Sequence, residues 1–314
     1  MRSRAAGLAL GFMADRLWGD PSHHHPVAGF GRATTALEQC VYRDDRARGS
    51  AFTAALIGTT TLVGILAQSR ARHPLQRIAL TALTTWAVLG GRSLGREATA
   101  VHTLLARGDL SAARQRLTHL VGRRTEDLDS TEVARATVES VAENTSDAVV
   151  APLVAGAIAG VPGLVAYRAV NTLDAMVGHR SPRYLRFGWA SARLDDLFNL
   201  VPARLAALLG AACAPLVGGR PSEAMGVWRR DAAAHPSPNA GPVEASFAGA
   251  LGVGLGGTNV YDGQIEHRAE MGSGIVAPDD IERAVRLGDA VSWSALAVSV
   301  AWCLRPRRRL QPGR

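Results

Sequence analysis

Residues 148–167 read AVVAPLVAGAIAGVPGLVAY, an uncharged run of 20 residues with a Gly160-Val161-Pro162-Gly163 break inside it. Roughly 20 apolar residues are what one helix needs to cross a bilayer. Proline inside a helix removes a backbone hydrogen bond and its ring collides with the preceding turn. The run therefore predicts two short helices folded back on each other, a broken or re-entrant element over about 148–170. Such a bend is tolerated at membrane depth when protein, rather than lipid, surrounds it. Folding back has a consequence for function. Acidic residues before the run and polar residues after it return to the same end, whereas a straight span would separate them.

Other uncharged runs cover 5–14, 51–67, 78–91, 205–219, 245–261 and 290–304. The run at 51–67 is near spanning length, and the others are readable as spans or as buried helices. Hydrophobic residues make up 47% of the chain, yet the mean hydropathy of +0.05 is low for a polytopic membrane protein. Period-2 alternation is almost absent, so the expected class is mainly α, a polytopic helical membrane protein. No linker divides residues 1–314, which read as one unit with a polar amphipathic helical insert at about 95–147. Within it, Asp109 or Ser111 is placed as an N-cap, and Asp129 before Glu132 as a capping box. The N-terminal apolar stretch runs into Asp15 and Arg16 without a cleavage pattern, unlike a signal peptide. The glycine-rich stretch 252–263 lacks phosphate-loop spacing and is read as close helix packing through small residues.

The formal charge is +8 and the chain contains no lysine. That excludes a P-loop, which requires Lys, and catalysis through a Lys Schiff base. A side-chain cation holding phosphate here must be Arg or His, and the planar Arg fork suits phosphate oxygens. Basic residues do not interleave with aromatics as a nucleic-acid groove would need, so no nucleic-acid partner is expected. Arg305, Arg307, Arg308 and Arg309 follow an apolar segment and read as a cytoplasmic anchor, placing the chain in the cell membrane as a multi-pass protein with lipid around it. Cys40, Cys213 and Cys303 are scattered and read as free thiols.

Four polar clusters stand out. The first is Glu139, Glu143, Asn144 and Asp147, with the three carboxylates four apart. The second is Arg168, Asn171, Asp174, His179 and Arg180. The third is Arg193, Asp195, Asp196, Asn199 and Arg204, whose helical spacing lets Asp195, Asp196 and Asn199 face one site. The fourth is His235, Ser237, Asn239 and Glu244. Oxygen ligands from Asp and Asn together with phosphate are what Mg²⁺ prefers. Asparagine is the telling residue, because its helix propensity is poor and a solvated face rarely requires it.

Four stretches carry a family resemblance: GDPSHHHPVAGFGR, VESVAENTSDAVVAPLVAGAIAGVPGLVAYRAVNTLDAMVGHR, FGWASARLDDLFNLVPARL and RDAAAHPSPNAGPVEASFAGALGVGLGG. In this order, spread over nearly the whole chain, they resemble the adenosylcobinamide-phosphate synthases of cobalamin biosynthesis, the CobD/CbiB family. The resemblance implies an integral membrane enzyme. It implies ATP-dependent amide formation between a carboxylate of adenosylcobyric acid and the amine of aminopropanol phosphate, giving adenosylcobinamide phosphate. On that basis ATP and Mg²⁺ are the expected cofactors. Asp147, Asp195, Asp196 and Asn199 are expected to hold Mg²⁺ directly or through water, with Glu139 and Glu143 beside them. Arg168, Arg180, Arg193 and Arg204, with Asn171 and Asn239, are expected to hold phosphates. His25, His179 or a carboxylate such as Glu139, Glu143 or Asp174 would take the proton from the attacking ammonium.

Two other activities use similar residues. A Mg²⁺-dependent membrane transferase acting on a diphosphate would need acidic helix ends but no ATP, and its paired acidic motifs are incomplete here. A cation-coupled transporter would place acids inside the membrane but predicts internally similar halves, which the sequence lacks.

Overall fold

Helices dominate the structure, a computed structural model that describes residues 1–20, 26–122, 124–261 and 264–305. In chain order the elements are α1 (Arg2–Trp18), α2 (Pro26–Val41), α3 (Arg46–Arg70), α4 (Pro74–Val88), α5 (Gly91–Ala106), α6 (Leu110–Leu117), α7 (Ser130–Thr145), α8 (Ala151–Ala159), α9 (Val161–Leu173), α10 (Trp189–Cys213), α11 (Pro221–Asp231) and α12 (Ala240–Leu251). The hairpin β1 (Gly254–Tyr261) and β2 (Gln264–Gly272) follows, then α13 (Asp279–Leu304). Two π-helical turns punctuate this order: Ser146–Val150 joins α7 to α8, and Asp174–Gly178 closes α9. Helices start where side chains satisfy their free N–H groups. Asp45 accepts from Ala47 and Arg48, Asp109 from Ala112, and Asp129 with Glu132 forms the reciprocal capping box of α7.

The proline-containing run breaks as expected. α8 ends at Gly160, whose φ of 72° is a conformation that costs other residues energy. α9 then returns alongside α8. Protein encloses the bend: Gln68 Oε1 accepts the Val161 N–H at 3.0 Å, and Arg4 donates to the carbonyls of Ala157 and Ile158. Asp147 and Asp174 consequently return together to the opposite end of the hairpin.

Crossing length is found elsewhere. Among the described residues, three helical segments are long and apolar enough to cross a membrane: Arg46–Arg70, Trp189–Val217 and Asp279–Leu304. Along α3 the residues Leu62, Val63, Ile65 and Leu66 are exposed, a waste of hydrophobic area in water but not in lipid. α10 is two-sided, with Leu197, Val201 and Leu208 exposed and Ala203, Ala206, Ala207 and Ala211 buried. Its small buried residues let α12 approach closely, where Ser246 Oγ donates to the Ala207 carbonyl at 2.7 Å.

α12 is buried along its whole length. Its apolar character reflects burial in protein, so the 245–261 run does not cross. Gly252 ends the helix and an antiparallel hairpin begins, with Gly254 opposite Gly272 and a bulge between Leu255 and Gly257. The expectation of helix packing across 252–263 is therefore corrected. Gly254, Gly256 and Gly257 stand where side chains would show the alternation, and that hid the strand.

The helices of 95–147 share the main core. Val101, Leu105, Leu117 and Val138 belong to the same buried cluster as Leu153 and Leu287. They meet the start of α13, where His102 Nδ1 lies 3.0 Å from the Pro278 carbonyl. At the far end of α13, Cys303 Sγ reaches the Ala157 carbonyl at 3.7 Å. A helix of 26 residues is about 39 Å long. The polar helices and Arg305 thus lie at opposite ends of α13, and a crossing α13 would put them on opposite sides. Arg307, Arg308 and Arg309 lie outside the described residues.

Between the second π turn and α10 the chain folds tightly enough to exclude a side chain at Gly188. A Cβ there would sit 1.6 Å from the Val177 carbonyl oxygen, whereas one at Gly226 would meet nothing within 4 Å. Gly188→Ala is expected to destabilise the protein by about 1–3 kcal/mol, read as a lowered unfolding temperature in detergent. Gly226→Ala, inside α11, is expected to be neutral or stabilising. Equal unfolding temperatures for the two variants would contradict the packing described.

Candidate active site

A π turn holds an extra residue and re-aims the side chains that follow it. Each of the two π turns here starts with or contains an aspartate, Asp147 in the first and Asp174 in the second. Both line one cavity of about 970 Å³, together with Glu143, the first half of α10 and the segment 235–240. Asp195 and Asp196 enter from α10, so carboxylates from four elements converge. The acidic stripe of α7 divides. Glu143 and Asp147 face the cavity, whereas Glu139 accepts the Gly256 N–H at 2.8 Å and lies 3.9 Å from Arg135, fixing the hairpin to α7.

The asparagines act as braces. Asn199 is buried, its Nδ2 donates to Asp195 Oδ2 at 3.0 Å, and the Tyr167 hydroxyl donates to its Oδ1 at 2.9 Å or to the Asp147 carbonyl at 3.0 Å. Asn171 adjoins the same Asp195 carboxylate. Asn239 donates to the Asp196 carbonyl at 2.7 Å and accepts from Arg204 at 2.9 Å. Arg204 is thereby a strap holding 235–239 onto α10, outside the cavity lining. Arg168 is also outside it, half-buried with Asp20 and Asp147 in electrostatic reach.

Arginines surround the acids. Arg180 and Arg193 line the cavity as expected, and Arg193 reaches Asp196 at 3.4 Å. Arg46, Arg186 and Arg268 line it as well and were not anticipated. Arg186 belongs to the arginine-rich stretch SPRYLRFGW just before α10, which was a usable signal. Arg46 and Arg268 carried none, because only the fold brings α3 and β2 to this place. His179 stands exposed at the mouth, edge-on to Tyr184 with ring centroids 4.9 Å apart. His25 lies outside the described residues. His235 accepts the Ser237 N–H on Nδ1 at 3.0 Å, which turns Nε2 toward Glu244 at 3.9 Å in a buried pair.

Electrostatics favour a cation. Burial pushes Asp174 up to about 7, and repulsion from Asp195, Asp196 and Glu143 adds to it. Asp195 Oδ1 is buried without a hydrogen bond among the described residues. A hard divalent cation suits both observations. No three His, Cys, Asp or Glu among the described residues form a ready metal cage. A divalent cation held here would have to complete its shell with water or substrate oxygens, as Mg²⁺ does.

The family model described as CobD/Cbib protein matches residues 8–288. The cobalamin biosynthesis protein CobD of Mycobacterium tuberculosis (strain CDC 1551 / Oshkosh) is 49% identical over 308 residues, 98% of each chain. Its namesake in Chromobacterium violaceum is 44% identical, covering 94% of this chain and 95% of its own, and that of Rhodobacter capsulatus 41%, covering 84% of both. No solved structure matches. With nearly its full length matched by the family model and by relatives of this similarity, the chain belongs to the CobD/CbiB family.

Proposed function

We propose that the cavity is the active site of an ATP-dependent synthase of cobalamin biosynthesis, set in the cell membrane as a multi-pass protein. The reaction joins a carboxylate of adenosylcobyric acid to the amine of aminopropanol phosphate, giving adenosylcobinamide phosphate. One observation carries the reading: half-buried carboxylates from both π turns and α10 meet in one cavity ringed by arginines. The names of the relatives, cobalamin biosynthesis proteins, supply the pathway.

A carboxylate and an amine do not condense unaided in water. The substrate carboxylate first attacks the γ-phosphorus of ATP and ADP leaves. The amine then attacks the acyl carbon and phosphate leaves. Phosphoryl transfer depends on positioning and charge stabilisation, and Arg180, Arg186 and Arg193 are placed to bind and orient phosphate oxygens. Asp147, Asp195 and Asp196 would hold Mg²⁺, which when bound neutralises triphosphate charge. Asn199 and Asn171 keep Asp195 turned toward it. The amine enters as an ammonium and must lose a proton. Asp174, raised to about 7, is matched to take it at neutral pH, with Glu143 and His179 also within the lining. A cavity of about 970 Å³ lies in the range that holds sizeable ligands. The corrin ring would rest at its mouth on the exposed Leu185 and Trp189.

The direct test supplies purified protein with adenosylcobyric acid, aminopropanol phosphate, Mg²⁺ and ATP. Amide product with matching ADP release is expected, and a slower reaction with the unphosphorylated amino alcohol. Absence of both product and nucleotide turnover would reject the synthase, and turnover of a diphosphate without ATP would point to the transferase instead.

Residue roles separate in the same assay. Asp195→Asn is expected to lower kcat about 10²–10³-fold. Asn199→Ala, which frees Asp195 to turn, is expected to cost about 10–100-fold. Glu139→Gln should leave kcat near wild type and lower the unfolding temperature, since Glu139 serves the hairpin. A Glu139→Gln variant as inactive as Asp195→Asn would contradict this division.

A further inference from the structure

A second cavity, of about 440 Å³, lies between α1, α5 and α13 and is lined by Arg16, Arg92, Arg96 and Asp289. The site proposed above does not use it. Arg16 is the unusual wall. Its side chain is only 14% exposed, and Nη1 pairs with Asp289. Nε and Nη2 are buried with no hydrogen bond among the described residues. A buried guanidinium with unmet donors is costly unless an acceptor arrives. Arg92 and Arg96 are exposed beside it on successive turns of α5. Asp15 lies behind, accepting the Arg92 N–H at 3.2 Å. In the lining itself three guanidinium groups face one carboxylate, Asp289, while Asp15 and Asp20 lie outside it; the unmet donors of Arg16 call for an anion.

The surroundings say which anion. Trp18 and Trp86 meet edge to face at 6.2 Å, and Trp86 Nε1 donates to the Gly19 carbonyl at 2.9 Å. Trp293, one turn beyond Asp289, packs on Phe12 at 4.8 Å. Trp18 and Trp293 are about half exposed or more, at 66% and 48%. Tryptophans in such a ring mark the level of lipid headgroups. On the hydrocarbon side of that level, Leu10, Met13 and Val298 are exposed, offering a path for acyl chains. We infer that this cavity binds the phosphate of an anionic phospholipid, with Arg16, Arg92 and Arg96 on the headgroup and the exposed faces of α1 and α13 along the chains.

The inference rests on α13 crossing the bilayer and not on the amide chemistry, so the two fail separately. The test uses the full chain, delipidated in detergent, and reads its unfolding temperature. Phosphatidylglycerol is expected to raise it by about 5 °C more than phosphatidylcholine, and inorganic phosphate in tenfold excess should not reproduce the gain. The double variant R92Q/R96Q changes only exposed side chains and should lose most of the gain while keeping amide synthesis in detergent. Arg16→Gln, if it folds, should lose it all. Equal effects of the two lipids, or a full gain in R92Q/R96Q, would overturn the site. A full gain with inorganic phosphate would overturn the lipid assignment.

Discussion

Carboxylates crowded away from water repel one another, and every feature of the candidate site answers that repulsion. Asp147, Asp174, Asp195 and Asp196 face one cavity, and Asp174 holds its proton to near neutrality, first through burial and further through repulsion from its neighbours. Asparagine and tyrosine brace the acids without adding charge. Arginines ring them, and Arg193 pairs directly with Asp196. Under the proposed function, a cation and a phosphate entering together would relieve that repulsion, whereas a merely structural ion-pair network would be expected to close on itself.

The proline-broken hairpin makes this convergence possible. If residues 148–167 crossed in one piece, Asp147 and Asp174 would lie tens of ångströms apart. The bend at Gly160 returns them side by side, and the π turns at each base aim them inward. The long segments that could cross the bilayer, α3, α10 and α13, serve as the frame around this inner element. α12 is apolar for a different reason, being enclosed by protein, and it brings His235, Ser237 and Asn239 back to the same cavity.

Much of this was legible in the residues themselves. Pro162 and its flanking glycines announced the break, and Asp109, Asp129 and Glu132 announced helix starts by capping chemistry. The Asp195–Asn199 spacing announced a shared face. Three things were not legible. Glu139 shares helical spacing with Glu143, yet a backbone N–H from β1 captures it, a contact between residues more than a hundred positions apart. Arg46 and Arg268 join the site only through tertiary packing. The hairpin itself was hidden because its first strand is rich in glycine, which carries no side-chain pattern. Asn199 and Asn239 were singled out as a cation ligand and a phosphate-binding residue. The structure gives them bracing contacts, a role that composition and spacing do not distinguish from ligation.

Electron paramagnetic resonance of Mn²⁺ bound in place of Mg²⁺, with a non-hydrolysable ATP analogue, most directly probes the shared cation–phosphate pocket. The account predicts one tightly bound Mn²⁺ coupled to phosphorus, lost when Asp147 and Asp195 are both changed to Asn in a chain that remains folded. Undiminished Mn²⁺ binding with the same phosphorus coupling in that double variant would contradict it.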